Sequence, residues 1–143
     1  MIRAGRILLI AVLTIAIGSS IPSNAQTKFA AGAVFVMTNA ADKNEIITYE
    51  RGTDGSLSES RRVATGGRGS GGTTDPLASQ GSLTLTQDHS FLLAVNAGSG
   101  EISVFRVHGA ILALVDKVPC GGSEPVSVAQ HNNLVYVGQC RGK

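Results

Sequence analysis

Two groups of residues in this chain have types and spacing that invite chemistry. Gly67-Arg68-Gly69-Ser70-Gly71-Gly72 satisfies G-x-G-x-x-G, the pattern in which backbone amides at a helix start meet a pyrophosphate. A dinucleotide site needs that run to open a helix. Here Thr73-Thr74-Asp75-Pro76 follows, and Pro76 disfavours helix at Asp75. No Lys-Ser/Thr pair follows the run, which excludes a P-loop. It reads as a flexible, extended connection. Ser79, Ser82, His89, His108 and His131 are the raw material of a hydrolytic triad, but no G-x-S-x-G elbow is present. Each histidine falls in a predicted turn, where a surface side chain is expected. The two cysteines, Cys120 and Cys140, form no group with zinc-ligand spacing. No metal and no cofactor is expected.

Composition narrows the partners. The chain has 143 residues, a net charge of +2 and a pI near 8.7, too little positive charge for the concentrated footprint that nucleic acid requires. With 43% hydrophobic and 15% charged residues, the chain is not of the disordered class. The basicity also sits in one place. Arg3 and Arg6 precede an apolar run, Ile7 to Ile17, and Ser23-Asn24-Ala25 supplies the small residues that a signal peptidase reads. A membrane-spanning helix needs about 20 apolar residues, and this run is too short. Residues 1–25 are therefore expected to be a helical signal peptide, cut before Gln26. The mature chain, 26–143, then carries 10 basic and 10 acidic residues, is exported to a periplasmic or extracellular space, and has no membrane partner after cleavage. In that compartment Cys120 and Cys140 can pair, but the spacing does not set their Cα distance.

From Ala33 onwards the dominant period is two. Short β-branched runs alternate with turn formers such as Asp54-Gly55, Gly109-Ala110 and Asn132-Asn133. Strands are predicted over Ala33–Thr38, Glu45–Glu50, Leu57–Thr65, Ser82–Thr86, Phe91–Asn96, Glu101–Val107, Ile111–Val118, Val126–Gln130 and Leu134–Gly138. The segment Val36 to Tyr49 matches Leu93 to Phe105, with Asn39 falling on Asn96 and Glu45 on Glu101. Both segments lead to paired glycines, Gly66-Gly67 and Gly121-Gly122. A third copy begins at Pro125, 44 residues after Gly81. A four-strand unit recurring every 40–50 residues is the pattern of β-propeller blades. Blade units fall over about 33–65, 82–118 and 126–140, with a Gly-rich connection over 66–81. The fold class is all-β: a partial β-propeller of about two and a half four-stranded antiparallel blades after the signal peptide. A closed ring at this repeat length takes about 300 residues. The chain is thus expected to be an N-terminal fragment whose partners include the missing C-terminal blades.

The segments Ser79-Gln80-Gly81-Ser82-Leu83, Gln87-Asp88-His89 and Phe91 to Phe105 resemble the lactonase-type seven-bladed propeller family, which includes 6-phosphogluconolactonases and carboxymuconate cyclases. The resemblance spans most of residues 33–138 and resides in the repeat consensus. It implies hydrolysis or formation of a lactone ring on a small sugar-acid or muconate-type substrate. The alternative is a non-catalytic exported propeller that binds a ligand or a protein.

In a propeller, the connections from one blade to the next converge on one polar face, where ligands bind. Here those connections end in Asp75 to Gly81 and in Gly122-Ser123-Glu124-Pro125. Gln80 and Glu124 are expected at equivalent positions before the inner strands. For lactone hydrolysis Glu124 can serve as general base towards water, with Gln80 donating to the developing oxyanion. Ser79, Gln80 and Ser123 are the candidate ligand contacts. The other reading is that these residues only cap strand ends. The 143 residues alone are expected to be inactive.

Overall fold

The computed structural model describes residues 30–72 and 80–138. These form nine strands: β1 (Ala30–Met37), β2 (Glu45–Gly52), β3 (Leu57–Ala64), β4 (Leu83–Leu85), β5 (Phe91–Asn96), β6 (Glu101–His108), β7 (Ile111–Pro119), β8 (Ser127–His131) and β9 (Leu134–Gly138). No helix occurs among the described residues. The strands build three antiparallel sheets in chain order, β1-β2-β3, β4-β5-β6-β7 and β8-β9. The architecture is all-β, part of a propeller. Residues 1–25, expected to be a signal peptide, together with Ser79 and Cys140, lie outside the described residues.

Local chemistry explains the hairpins. Between β2 and β3, Gly55 takes φ 82°, and Asp54 Oδ1 accepts the Ser56 amide at 3.0 Å and its hydroxyl at 2.6 Å. Such Asx geometry fixes a turn without help from the core. Between β4 and β5, Asp88 Oδ1 accepts the Thr86 hydroxyl (2.6 Å) and the Ser90 amide (3.0 Å). The three histidines are exposed at turns or strand ends, as their positions predict, and form no triad.

The core lies between sheets. β5 reads Phe-Leu-Leu-Ala-Val because both its faces are covered. Leu92 and Ala94 pack with Ile46, Phe105 and Leu112 towards the first sheet. Leu93 and Val95 pack with Ile102 and Val128 towards the third.

The pairing corrects the repeat alignment by one residue. Met37 pairs with Ile46 and Val95 with Ile102, and all four side chains face the following sheet. The residue corresponding to Asn96 is therefore Thr38, whose amide donates to Glu45 O at 3.0 Å. Asn39 is one step further on, in the turn, with φ 54°. Likewise Leu83 and Val128 both face the preceding sheet, whereas a 44-residue offset equates Val128 with Thr84. A one-residue slip reverses every face of a strand, so the offset there is 45. A bulge recurs at one place in both outer pairings, between Thr48 and Tyr49 and between Val104 and Phe105. It fixes Thr48 as the counterpart of Val104.

A polar network joins the first two sheets. Asn44, Thr65, Asn96 and Ser103 are each fully buried. Asn44 Nδ2 donates to Asn96 Oδ1 (3.0 Å) and Val95 O (3.2 Å). The Thr65 hydroxyl donates to Asn96 Oδ1 at 2.7 Å. Asn96 Nδ2 donates to Ser103 Oγ, which donates to Thr65 O, both at 2.7 Å. The members satisfy one another, as a dry interface demands.

Candidate functional site

Two connections between sheets shape a cleft of about 440 Å³, lined among others by Arg68, Ser70, Ser123 and Glu124. The first connection leaves β3 through Thr65, Gly66 and Gly67. Thr65 N donates to Asn44 O (2.9 Å), Asn44 N to Gly67 O (3.0 Å) and Gly69 N to Ala40 O (2.7 Å). The Asn39 side chain clamps Ser70, accepting its amide and donating to its hydroxyl, both at 2.8 Å. Arg68 is held from both sides, its amide donating to Ser99 Oγ and its carbonyl accepting Gly98 N, both at 3.0 Å.

These bonds overturn the expectation of a flexible connection for residues 67–72. The glycines are there for close approach rather than for phosphate. A Cβ on Gly67 would collide with the Asn96 side chain, and one on Gly69 with the backbone of Asn39. Ala or any larger residue would lift the segment off the turns that it lies on.

The second connection repeats the first. Cys120 N donates to Gly100 O at 2.9 Å, as Thr65 N does to Asn44 O. Gly121 has φ 78° where Gly66 has 76°. The Cys120 thiol donates to Gly122 O at 3.3 Å, and the Thr65 hydroxyl sits in the same place, 3.5 Å from Gly67 O. Ser123 thus corresponds to Arg68 and Glu124 to Gly69. Gln80 and Glu124 are not equivalents, because the 45-residue offset places Gln80 on Pro125.

Glu124 is an exposed non-glycine residue in the left-handed region, φ 53°, next to the buried Pro125. Such a backbone costs about 1–3 kcal/mol and concentrates at functional sites. Nearby charges are largely matched. Lys117 Nζ lies 2.7 Å from Glu101 Oε1 and also donates to Gly66 O at 3.0 Å. That lysine, chiefly by its hydrogen bond, holds the Glu101 carboxyl below the usual range, with Ser99 and a smaller pull from Arg68 adding to it. Lys43 pairs with Glu45 at 2.7 Å.

The cleft is therefore lined by an arginine, a glutamate and two serines. Such a set can bind a small oxygen-rich molecule and transfer a proton within it. Glu124 and Ser123, neighbours in the sequence, both line the cleft. Gln80 is exposed and not part of the lining, and Ser79 lies outside the described residues. Arg68 and Ser70 were not anticipated. The signal for them was the paired glycines: Gly66-Gly67-Arg68 superimposes on Gly121-Gly122-Ser123. No cluster of three or more His, Cys, Asp or Glu able to hold a metal occurs among the described residues.

Residues 28–141 match the family model described as lactonase, 7-bladed beta-propeller. No curated protein and no solved structure matches the chain.

Proposed function

The chain belongs to the lactonase family of seven-bladed β-propellers, and on that premise we propose that it is an exported lactonase-like protein. Its substrate is a small lactone of the sugar-acid or muconate type, bound in the Arg68–Glu124 cleft when the propeller is complete. The observation that carries this reading is Glu124: a carboxylate on a left-handed backbone, lining the same cleft as Arg68.

In the hydrolytic direction, a water attacks the lactone carbonyl carbon and gives a proton to the Glu124 carboxylate. Arg68 and the hydroxyls of Ser70 and Ser123 donate to the oxygen that gains charge. The ring C–O bond then breaks, and the leaving alkoxide takes the proton back. Water is consumed and a hydroxy acid is formed. These residues build only part of a seven-bladed ring, so the 143-residue chain alone presents one sector of the site and turns over no substrate.

The test is a pH-stat assay of the full-length propeller on simple lactones, each opened ring releasing one acid. Proton release above the spontaneous rate, lowered about 100-fold or more in Glu124→Gln, supports the reading. Release no faster than background overturns it and leaves a ligand-binding propeller.

A further inference from the structure

A second cleft, of about 500 Å³, adjoins the first, with Arg68 in the lining of both. Ser99, Glu101, Lys117 and Lys43 also line it, and none of them takes part in the proposed lactone chemistry. Glu101 uses both of its carboxylate oxygens. Oε1 lies 2.7 Å from Lys117 Nζ, and Oε2 accepts the Ser99 hydroxyl at 2.8 Å. Each partner then reaches the connection that carries Arg68. Lys117 Nζ donates to Gly66 O at 3.0 Å, and Ser99 Oγ accepts the Arg68 amide at 3.0 Å. These bonds close a circuit, from Gly66 through Lys117, Glu101 and Ser99 back to Arg68.

The circuit has a polarity. A serine hydroxyl has one proton, and here it goes to the Glu101 carboxylate. Ser99 Oγ is left with lone pairs to turn towards Arg68 N–H, which is what an amide donor needs. An ammonium has only protons to offer, and it meets the Gly66 carbonyl. The signs of charge at 101 and 117, and not their attraction alone, therefore decide whether the connection is held. The first sheet uses the same places differently. By strand pairing Glu45 corresponds to Glu101 and Arg62 to Lys117, and Lys43 stands two residues before its glutamate as Ser99 does. There Lys43 pairs with Glu45 at its own turn, and Arg62 with Glu59 along its own strand.

We propose that Glu101 is a positioning residue for Arg68. With Lys117 and Ser99 it sets where the backbone of residues 66–68 stands, and hence where Arg68 enters the wall shared by the two clefts. What Arg68 does to a substrate rests on the lactonase reading; its placement by Glu101 does not.

Hydrogen exchange of single amides in the 143-residue chain tests the placement. Ser99→Ala should speed exchange of the Arg68 amide about fivefold or more. Glu101→Gln, with one acceptor oxygen in place of two, should speed it about threefold or more. The Val95 amide, bonded to Ser82 O in the second sheet, reports global opening and should move by less than about twofold. Exchanging the charges, Glu101→Lys with Lys117→Glu, keeps an ion pair but sets a carboxylate against Gly66 O and an ammonium against the Ser99 proton. That variant should match Ser99→Ala. Lys43→Met, which breaks the neighbouring pair in the same cleft, should leave the Arg68 amide within about twofold. In the complete propeller, assayed by pH-stat on simple lactones, Glu101→Gln should lower kcat about threefold or more. In an Arg68→Ala background the same change should cost less than about twofold. Equal acceleration at Arg68 and Val95, a charge exchange that leaves the Arg68 amide as in wild type, or additive losses of activity would each overturn the proposal. A complete propeller that turns over no lactone refutes the lactonase reading and leaves the exchange rates to decide this one.

Discussion

The side-chain amide of Asn44 donates to the side-chain oxygen of Asn96 across 3.0 Å, joining two sheets through residues that are both fully buried. The bond links a turn residue of one blade to the end of a strand in the next. Asn96 accepts from Asn44 and Thr65 and donates to Ser103, so its removal orphans several polar groups at once. An unmet buried donor costs about 1–3 kcal/mol. Asn96→Ala should therefore destabilise the protein by about 2–3 kcal/mol, read from the urea midpoint. A double-mutant cycle with Asn44→Ala should show coupling of about 1 kcal/mol or more. Additive losses would mean that the two amides do not act as a pair.

Thr48 makes the opposite case. It is fully buried, and its hydroxyl is the one buried side-chain polar atom without a hydrogen-bond partner among the described residues. Its counterpart in the next sheet is Val104, which has the same shape and no hydroxyl. Thr48→Val removes an unmet polar atom at almost no cost in packing. The expected gain is about 1 kcal/mol, seen as a raised melting temperature. A loss would show that the hydroxyl has a partner that the protein atoms do not supply.

Gly67 lies against the Asn96 side chain, where an added Cβ would collide. The obstacle is a fully bonded core amide, not the free end of a flexible chain, so the backbone must yield. Gly67→Ala is expected to cost about 2 kcal/mol or more through loss of this network. Gly32→Ala is the control: nothing lies within 4 Å of its Cβ position, and the effect should stay within about 0.5 kcal/mol. Equal effects in urea titrations would contradict the close-packing role.

Much of the fold was legible because the strands carry their own punctuation. β-Branched runs closed by Asp54-Gly55, Gly109-Ala110 or Asn132-Asn133 mark strand ends with no tertiary information. Register was harder to read. Matching Asn39 to Asn96 preserves residue identity but reverses which face meets the next blade, and only cross-strand pairing reveals that Thr38 holds the equivalent place. Asn44 looked like turn material, yet its bonds to Val95 and Asn96 span 51 and 52 residues and leave no local trace. In the candidate site, the place of Ser123 and Glu124 at the end of a connection, just before an inner strand, is visible in the sequence, and both line the cleft. Arg68 was hidden by a glycine pattern of the phosphate-binding kind, whereas Gly67 and Gly69 serve close approach to the Asn96 side chain and the Asn39 backbone.

Asp88 gives the chain a local acid-sensitive turn. The Thr86 hydroxyl, then the Ser90 amide and hydroxyl, hold its carboxyl down to about 2. A carboxylate with a depressed folded value stabilises above its ordinary range, and that contribution fades as pH falls from about 4 through about 2. The Asp88 carboxyl resonance should titrate near the lower value, and Thr86→Val should move it towards the ordinary one. A midpoint already near 4 in the wild type would show that the Thr86 bond does not form. The group is fully exposed, so the effect on global stability should be small.

On the proposed function, Glu124 sets stability against activity. Left-handed backbone costs a non-glycine residue about 1–2 kcal/mol, whereas glycine accepts it at an entropic cost of about 0.5–1 kcal/mol. Its counterpart in the preceding connection, Gly69, is already glycine. Glu124→Gly should raise stability by about 0.5–1 kcal/mol and abolish lactone turnover in the complete propeller, a trade found where strain is kept for activity. Thermal melts and the pH-stat assay on the same preparation decide it. If the variant melts lower, the carboxylate is holding the connection together, and its role as a base loses its structural support. If it melts higher and still turns over lactone, the reacting base lies elsewhere on the ring.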